Sequence, residues 1–271
     1  MSNFIKVDLT LRSAQELDIT TAILADHDFY AFEQEENHLR GYIRESDFDE
    51  IKLNSILPFP CPFTVELLGE RNWNEEWEKG MKPVRIHDFA GIRTAFQPPL
   101  EEVRHEIIIT PKMSFGTGHH PSTSLMIAQM ERVDFRGKSV IDFGTGTAIL
   151  AILASKLGAS PIWAIDNDPW SLVNAEENIK VNHTEGILLE KCDNIKGRES
   201  VDIVLANLNL NIIEIHSEDM GARVKSGGKL ILSGFLQEDT PGLLETFHGL
   251  VFFQNTSRGE GQWSSLLLTK E

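Results

Sequence analysis

The chain has 271 residues, of which 41% are hydrophobic and 24% are charged, as in ordinary globular proteins. No apolar run approaches the ~20 residues of a membrane span, and the first residues lack a secretion signal, so we expect a cytoplasmic protein that does not enter a membrane. The net charge of −16 argues against broad nucleic-acid binding and for a basic partner. Only Cys61 and Cys192 are present, so we expect neither a disulfide framework nor a zinc site.

The N-terminal part of the chain alternates between strand and helix signals. Hydrophobic spacing predicts strands at residues 4–9, 29–33, 38–43 and 63–67, and helices at residues 13–25 and 47–57. This order is typical of a split β-α-β fold of the ferredoxin-like type. Because Pro58, Pro60 and Pro62 punctuate the chain, we set a first domain at residues 1–58.

This first domain also carries much of the negative charge. Residues 1–60 contain 12 acidic and 5 basic side chains. One interpretation is a solvated surface that keeps the protein soluble. The other is a surface that attracts a basic substrate, which would give the domain a role in substrate recognition.

Residues 59–110 are less regular, and we interpret them as a linking and bridging segment with candidate strands at 84–87 and 106–110. From residue 111 to 271 the pattern becomes clear. Strands are predicted at 139–142, 162–165, 202–206, 229–233, 251–256 and 263–269, alternating with helices at 148–157, 170–182, 212–224 and 241–249. This alternation predicts an α/β, Rossmann-like, doubly wound parallel sheet, in which one strand of the closing hairpin runs antiparallel.

A glycine-rich turn follows the first of these strands, in the sequence Asp142-Phe143-Gly144-Thr145-Gly146-Thr147. Gly144 and Gly146 allow a tight turn with backbone close to a ligand, at the N-terminus of a helix. A dinucleotide site requires a third glycine where this chain has Ile149. An acid two residues before the first glycine favours S-adenosylmethionine over NAD, because Asp142 would face a cationic cofactor.

Two further groups of polar residues end neighbouring strands, where cofactors of such sheets bind. Asp166 is predicted to accept hydrogen bonds from the ribose hydroxyls, whereas Asp168 is better placed to cap the following helix. Asn207, with backbone carbonyls near it, can accept hydrogen bonds from an incoming amine and orient its lone pair. The alternative is that Asn207 is a turn residue without a binding role.

Residues 111–124 form a Gly- and Pro-containing segment ahead of a predicted helix at 122–132. Such a loop can close over a bound cofactor, and Phe115 within it would exclude water and favour the neutral form of an amine. The adjacent His119 and His120 invite a metal site, but neighbouring residues point apart and no acid or cysteine in the loop completes a ligand set. We therefore predict no metal.

These features together resemble the ribosomal protein L11 methyltransferases (PrmA), over nearly the whole length of the chain. The residues that carry the resemblance are Phe115-Gly116-Thr117-Gly118, His120-Pro121, Thr123, Asp142-x-Gly144-x-Gly146, Asp166-x-Asp168-Pro169, Ala206-Asn207-Leu208 and Leu232-Ser233-Gly234-Phe235. The chain departs from the family pattern at Lys112, His119, Thr145 and Thr147. Family members transfer methyl groups from S-adenosylmethionine to lysine side chains and the N-terminal amine of ribosomal protein L11, which their ferredoxin-like domain captures.

The resemblance implies that Thr123, Gly144, Asp166 and Asn207 contact the cofactor. With the motifs, the predicted cofactor-binding set is Thr123, Asp142, Gly144, Gly146, Asp166, Asn207, Gly116 and Thr117, and the predicted catalytic residues are Asn207 and Phe115. We expect a monomer. The alternatives are a methyltransferase for another protein, RNA or small-molecule nitrogen, an NAD-dependent dehydrogenase, and a noncatalytic S-adenosylmethionine-binding module.

Overall fold

Hydrophobic alternation in the first strand sets the fold of the N-terminal part. This computed structural model describes residues 4–25, 27, 29, 31–35, 38–68, 82–110, 118 and 120–271. In the first strand, Ile5, Val7 and Leu9 are buried. Lys6 and Asp8 lie between them and are partly exposed. Successive side chains of a strand point to opposite faces, so one face of the sheet supplies a core and the other meets solvent.

The N-terminal elements are β1 (Phe4–Thr10), α1 (Ala14–Ala25), β2 (Ala31–Glu35), β3 (His38–Arg44), a short 3-10 helix (Glu45–Asp47), α2 (Glu50–Ile56) and β4 (Phe63–Leu68). The strands lie in the order β2-β3-β1-β4, and every neighbouring pair is antiparallel. This is the split β-α-β arrangement, and the predicted ferredoxin-like fold is confirmed. Leu17, Leu24 and Leu53 of the helices pack on the buried face of the sheet.

The predicted boundary at residue 58 lies too early. β4 pairs with β1 from Phe63 opposite Leu9 to Leu68 opposite Phe4, so the sheet needs residues beyond the prolines. The chain divides into units at residues 1–75 and 76–271. The prolines mark the end of α2, after which the chain returns to the same sheet.

The predicted bridging segment also has a defined structure in its second half. β5 (Val84–Ile86), β6 (Ala90–Arg93) and β7 (His105–Ile108) form a three-stranded sheet in that order. Ile86, Ile92 and Ile107 are buried in the same core cluster as Ile127 and Leu153. These residues are therefore part of the larger unit and do not act as a linker.

The larger unit continues with α3 (Pro121–Met130), β8 (Val140–Phe143), α4 (Ile149–Lys156), β9 (Ile162–Asp166), α5 (Pro169–Val181), β10 (Ile187–Lys191), β11 (Val201–Asn207), α6 (Leu210–Ile215), α7 (Ser217–Arg223), β12 (Val224–Leu236), a 3-10 helix (Gln237–Asp239), α8 (Thr240–Gly249), β13 (Phe252–Glu260) and β14 (Trp263–Lys270). The strand order is β10-β9-β8-β11-β12-β14-β13. β14 is antiparallel to both of its neighbours, and the other pairs are parallel. The predicted Rossmann-like sheet is confirmed.

Each face of this sheet is covered by helices. Met126, Leu153 and Ala175 of α3, α4 and α5 belong to one core cluster. Ile213, Met220 and Phe247 of α6, α7 and α8 belong to the other. The chain runs outward from β8 to β10 and then returns to β11 beside β8, which opens a crevice at the carboxyl ends of these strands. None of the helices in the described ranges has the length and hydrophobicity that a membrane crossing requires.

Three elements differ from the predictions. The edge strand β10 was not predicted, because Leu188, Glu190 and Lys191 leave it largely exposed and without regular alternation. β6 was also missed, since it has only four residues and contains a glycine. The single helix predicted at 212–224 is two helices, which meet at His216.

Candidate active site

A cavity of about 770 Å³ lies at the carboxyl ends of the central strands. Its size suits a small-molecule cofactor. The residues that line it come from the ends of β8 to β12 and the segments that follow them, from α3, α5 and α6, and from β14: His120, Ser122, Phe143, Gly144, Gly146, Asp166, Asn167, Ser171, Cys192, Asp193, Asn194, Asn207, Leu208, Asn209, Ile212, His216, Gly234 and Trp263. The predicted residues Gly144, Gly146, Asp166 and Asn207 thus meet in one place.

The glycine-rich turn forms one wall of the cavity. Its start is held by the neighbouring strand, because the Gly144 and Thr145 N–H groups both donate to the Ile165 carbonyl, at 2.8 and 2.9 Å. Gly144 has a φ of +75°, and a Cβ there would overlap the Leu208 side chain. The backbone conformation therefore favours glycine at this position, and a Cβ would also force the Leu208 side chain to move.

Asp142 lies behind this turn and not in the cavity wall. It is 1% exposed, and its Oδ2 accepts hydrogen bonds from the Thr145 hydroxyl at 2.6 Å and from the Ala151 N–H at 3.2 Å. Burial raises the pKa of Asp142 to about 7. The two hydrogen bonds oppose this rise, and the negative charge of the nearby Asp166 adds to it. The structure places Asp142 as a support of the turn. Thr145, a departure from the family pattern, supplies one of its contacts.

This raised pKa predicts how stability depends on pH. The folded chain holds the Asp142 proton up to pH about 7, whereas the unfolded chain loses it near the ordinary aspartate pKa of 3.8, so stability falls as pH rises between these values. Asp142→Asn keeps an acceptor for both hydrogen bonds without a charge. In urea unfolding without cofactor, we expect the stability of the variant relative to the wild type to rise by about 1–3 kcal/mol between pH 5 and pH 8.

Asp202→Asn is the matched control, because hydrogen bonds from Ser139 and Lys225 outweigh burial and hold the pKa of Asp202 at about 2. A group with a lowered pKa stabilises the fold above its unfolded value, so this variant should lose stability at pH 5 and at pH 8 alike. If the stability difference between Asp142→Asn and wild type is the same at pH 5 and at pH 8, the pKa of Asp142 is not raised in the folded chain.

Asp166 ends β9 and is fixed by backbone groups on both sides. Its Oδ2 accepts from the Gly146 N–H at 2.9 Å, and its Oδ1 accepts from the Asp168 N–H at 3.0 Å. Asp168, not Asp166, caps α5, since its carboxylate accepts from the Trp170 and Ser171 N–H groups. Each carboxylate oxygen of Asp166 has room for one further hydrogen bond. The half-buried carboxylate can therefore accept two hydroxyl groups of a ligand.

Asn207 ends β11 on the opposite side of the cavity. Its Nδ2 donates to the hydroxyl of the fully buried Thr123 at 3.3 Å, so α3 holds the amide in a defined orientation. Its Oδ1 is buried and has no hydrogen-bond partner among the described residues. A buried acceptor without a partner is costly, and a ligand N–H would satisfy it. Thr123 itself lies behind Asn207 and does not line the cavity.

Leu208 lines the cavity because its backbone can pass close to Gly234, which has no side chain. Gly234 has a φ of +97°, and a Cβ there would overlap the Leu208 backbone. The Leu208 N–H donates to the Ser233 carbonyl at 3.0 Å. The Leu232-Ser233-Gly234-Phe235 motif thus acts by shaping the segment that follows Asn207.

His120 and Trp263 form a further part of the wall that was not predicted as such. Their rings meet edge to face with centroids 4.4 Å apart. His120 caps α3 by accepting from the Ser122 N–H through Nδ1, and burial lowers the pKa of its imidazole. His120 therefore acts here as a neutral acceptor. Across the described ranges, no cluster of His, Cys, Asp and Glu side chains could hold a metal ion.

Other lining residues also escaped the sequence analysis. Cys192, Asp193 and Asn194 follow β10, so predicting that strand would have placed them at this edge of the sheet. His216 stands between two helices and packs edge to face on Phe143, with ring centroids 5.1 Å apart. No motif marked it. The predicted residues Phe115, Gly116 and Thr117, together with Lys112 and His119, lie outside the described residues.

Proteins of one family are similar to this chain over nearly its full length. The profile of the ribosomal protein L11 methyltransferase (PrmA) family matches residues 9–271. Proteins named ribosomal protein L11 methyltransferase are 39% identical in Porphyromonas gingivalis, over 97% of this chain and 93% of that protein, and 35% identical in Phocaeicola vulgatus, over 97% and 98%. The crystal structure of the ribosomal protein L11 methylase of Lactobacillus delbrueckii subsp. bulgaricus superposes with a TM-score of 0.64 and 25% identity, covering 70% of this chain and all of that chain. The chain belongs to the ribosomal protein L11 methyltransferase (PrmA) family.

Proposed function

We propose that this protein transfers methyl groups from S-adenosylmethionine to lysine side-chain amines, and to the N-terminal amine, of ribosomal protein L11. The observation that carries the proposal is the family match over residues 9–271, which includes the cavity and most of the N-terminal unit. Relatives that carry this name share nearly the full length of the chain. The cavity supplies the chemistry that the reaction needs.

The residues around the cavity fit S-adenosylmethionine. The Asp166 carboxylate is anchored at both oxygens and retains acceptor sites for the two ribose hydroxyls. Gly144 and Gly146 bring the backbone of the turn to the cavity wall without side chains. Asp193 and Asn194 offer polar groups on the side of β10. We assign the cofactor to this cavity, with Asp142 and Thr123 supporting it from behind.

S-adenosylmethionine supplies a methyl group on a positively charged sulfur. Transfer of this group needs a nucleophile and no acid catalyst. The task of the protein is to present a neutral amine with its lone pair directed into the cavity. Asn207 is suited to this task, because its partnerless Oδ1 can accept an N–H of the amine while Thr123 holds its other end. Phe115 stays a predicted catalytic residue that excludes water.

Substrate capture is assigned to the N-terminal unit. On the solvent-facing side of its sheet, acidic side chains are paired with basic ones: Lys6 with Glu66 at 2.6 Å, and Asp8 with His38 and Arg40 at 3.0 and 3.1 Å. These pairs neutralise one another. Asp47, which ends the 3-10 helix, and Asp49 and Glu50 at the start of α2 are exposed, and we propose that they attract the lysines of the substrate.

The direct test is mass spectrometry. Purified protein is incubated with S-adenosylmethionine and ribosomal protein L11, and the intact mass of L11 is followed with time. We expect increments of one methyl group, which should be absent when the amines of L11 have been blocked by acetylation. An unchanged mass of L11, with cofactor binding verified by calorimetry, would reject the substrate assignment.

Asn207→Ala should lower the methyl-transfer rate more than the affinity for cofactor. The lost hydrogen bond orients the amine during transfer, so we expect a single-turnover rate about 10–100-fold lower at saturating S-adenosylmethionine. Thr123→Val should produce a smaller decrease by releasing the Asn207 amide, whereas Thr123→Ser keeps the hydroxyl and should keep the rate. If the Asn207→Ala rate is unchanged and only cofactor affinity falls, Asn207 is a cofactor contact alone.

A further inference from the structure

Three asparagines, two on one face of α5 and one at its C-cap, are buried where apolar side chains would be expected. Asn174, Asn178 and Asn182 are spaced by four residues and are 1%, 0% and 7% exposed. On the same helix Trp170 and Val173 are 79% and 50% exposed. A buried amide is costly unless its donors and acceptor are satisfied, so their partners decide what they do.

The asparagine side chains form hydrogen bonds with the backbone at the end of β7 and just beyond it, as a neighbouring strand would. Asn182 accepts from the Ile108 N–H at 2.9 Å and donates to the Ile108 carbonyl at 2.6 Å. Asn178 accepts from the Thr110 N–H at 2.8 Å, and Asn174 donates to the Thr110 carbonyl at 3.1 Å. Side-chain amides thus satisfy both backbone groups of two alternate residues, which fixes the register of this strand end against α5.

Asn178 makes one further contact that the other two do not. Its Nδ2 donates to the carbonyl of Thr147 at 3.0 Å, in the second half of the glycine-rich turn. The first half of that turn is anchored by the Ile165 carbonyl and by Asp166. One amide therefore joins the end of β7 to the turn that lines the cavity.

The second half of the turn needs such support. Ala148, which follows Thr147, has a left-handed backbone with a φ of +62°. This conformation is unfavourable for a residue with a Cβ, so the surrounding contacts must hold it. The bond from Asn178 fixes the Thr147–Ala148 peptide from the helix side.

We propose that Asn178 is a positioning residue for cofactor binding, which holds the Gly144–Ala148 turn in its binding conformation by linking Thr147 to Thr110. Asn174 and Asn182 hold the strand end to which this link is tied. The inference rests on the proposed cofactor. The buried asparagine face of α5 thus contributes to the affinity for S-adenosylmethionine as well as to the fold.

The test compares Asn178→Ala with Asn182→Ala. Both variants remove hydrogen bonds between α5 and the same strand end, so both should lower the melting temperature. Only Asn178→Ala removes the hydrogen bond to the Thr147 carbonyl, so we expect the dissociation constant of S-adenosylmethionine in calorimetry to rise about tenfold for Asn178→Ala and less than about twofold for Asn182→Ala. In the methylation assay, KM for the cofactor should rise in parallel for Asn178→Ala, with kcat at saturating cofactor nearly unchanged.

Asn178→Ser is a second variant in case Asn178→Ala does not fold, because a serine adds no charge and is too short to join both backbones. Equal cofactor affinities of the position-178 and position-182 variants would overturn the inference, even if both are destabilised. A wild-type protein that binds no S-adenosylmethionine would instead contradict the proposed function. The two failures are therefore distinguishable.

Discussion

Asp166→Ala is expected to weaken S-adenosylmethionine binding by about 10–100-fold, because hydrogen bonds to a charged group contribute roughly 1.5–3 kcal/mol. The substitution removes the proposed acceptor of the ribose hydroxyls. It also frees the Gly146 and Asp168 N–H groups, which the carboxylate now holds at 2.9 and 3.0 Å. Isothermal titration calorimetry with the purified variant measures the change.

Asp168→Asn is the matched control for this prediction. It removes a carboxylate two residues away and keeps an acceptor that can cap α5, since asparagine is as good as aspartate at this position. We expect its cofactor affinity to stay within about twofold of the wild type. If Asp166→Ala also changes affinity less than about threefold, under ~1 kcal/mol, the carboxylate does not bind the ribose.

The sequence predicted those parts of the site that a local pattern determines. Gly144 and Gly146 follow a buried strand, and Asp166 and Asn207 end neighbouring strands, so their convergence follows from the topology of a parallel sheet. The closing strands were predicted as a hairpin because their connection is too short for a crossover. Their pairing brought Trp263 to the cavity, but nothing in its local sequence indicated the contact with His120.

Residues that act through distant partners could not be predicted. The sequence predicts a helix at 170–182 but not its buried face, and the structure buries the asparagines of this segment and exposes the apolar Trp170 and Val173. The reason is tertiary, because the asparagine amides bind backbone groups more than 60 residues earlier in the chain. A helix periodicity carries no information about such partners.

The chain from residue 76 onward is expected to fold alone and to bind S-adenosylmethionine nearly as tightly as the full-length protein. Both core clusters of the larger unit begin at or after Ile86, and the described residues that line the cavity lie between His120 and Trp263. Without residues 1–75 it should nevertheless lose most methyl transfer to ribosomal protein L11. Cofactor affinity by calorimetry and initial methylation rates, measured side by side, separate the two effects.

The full-length variant Asp47→Asn/Glu50→Gln then tests whether charge guides substrate capture. It neutralises two exposed carboxylates on either side of the α2 N-cap and spares the N-cap residue Asp49, whose carboxylate accepts from the Ile51 and Lys52 N–H groups. Exposed charges act over a Debye length of ~8 Å at physiological salt, so KM for L11 should rise at low salt and the difference from wild type should vanish near ~0.5 M salt. Lys6→Gln/Glu66→Gln, which removes a pair that is already neutral, should leave KM unchanged.

If the shortened chain methylates L11 as fast as the full-length protein, the N-terminal unit does not recruit the substrate, and its carboxylates serve only to keep the protein soluble.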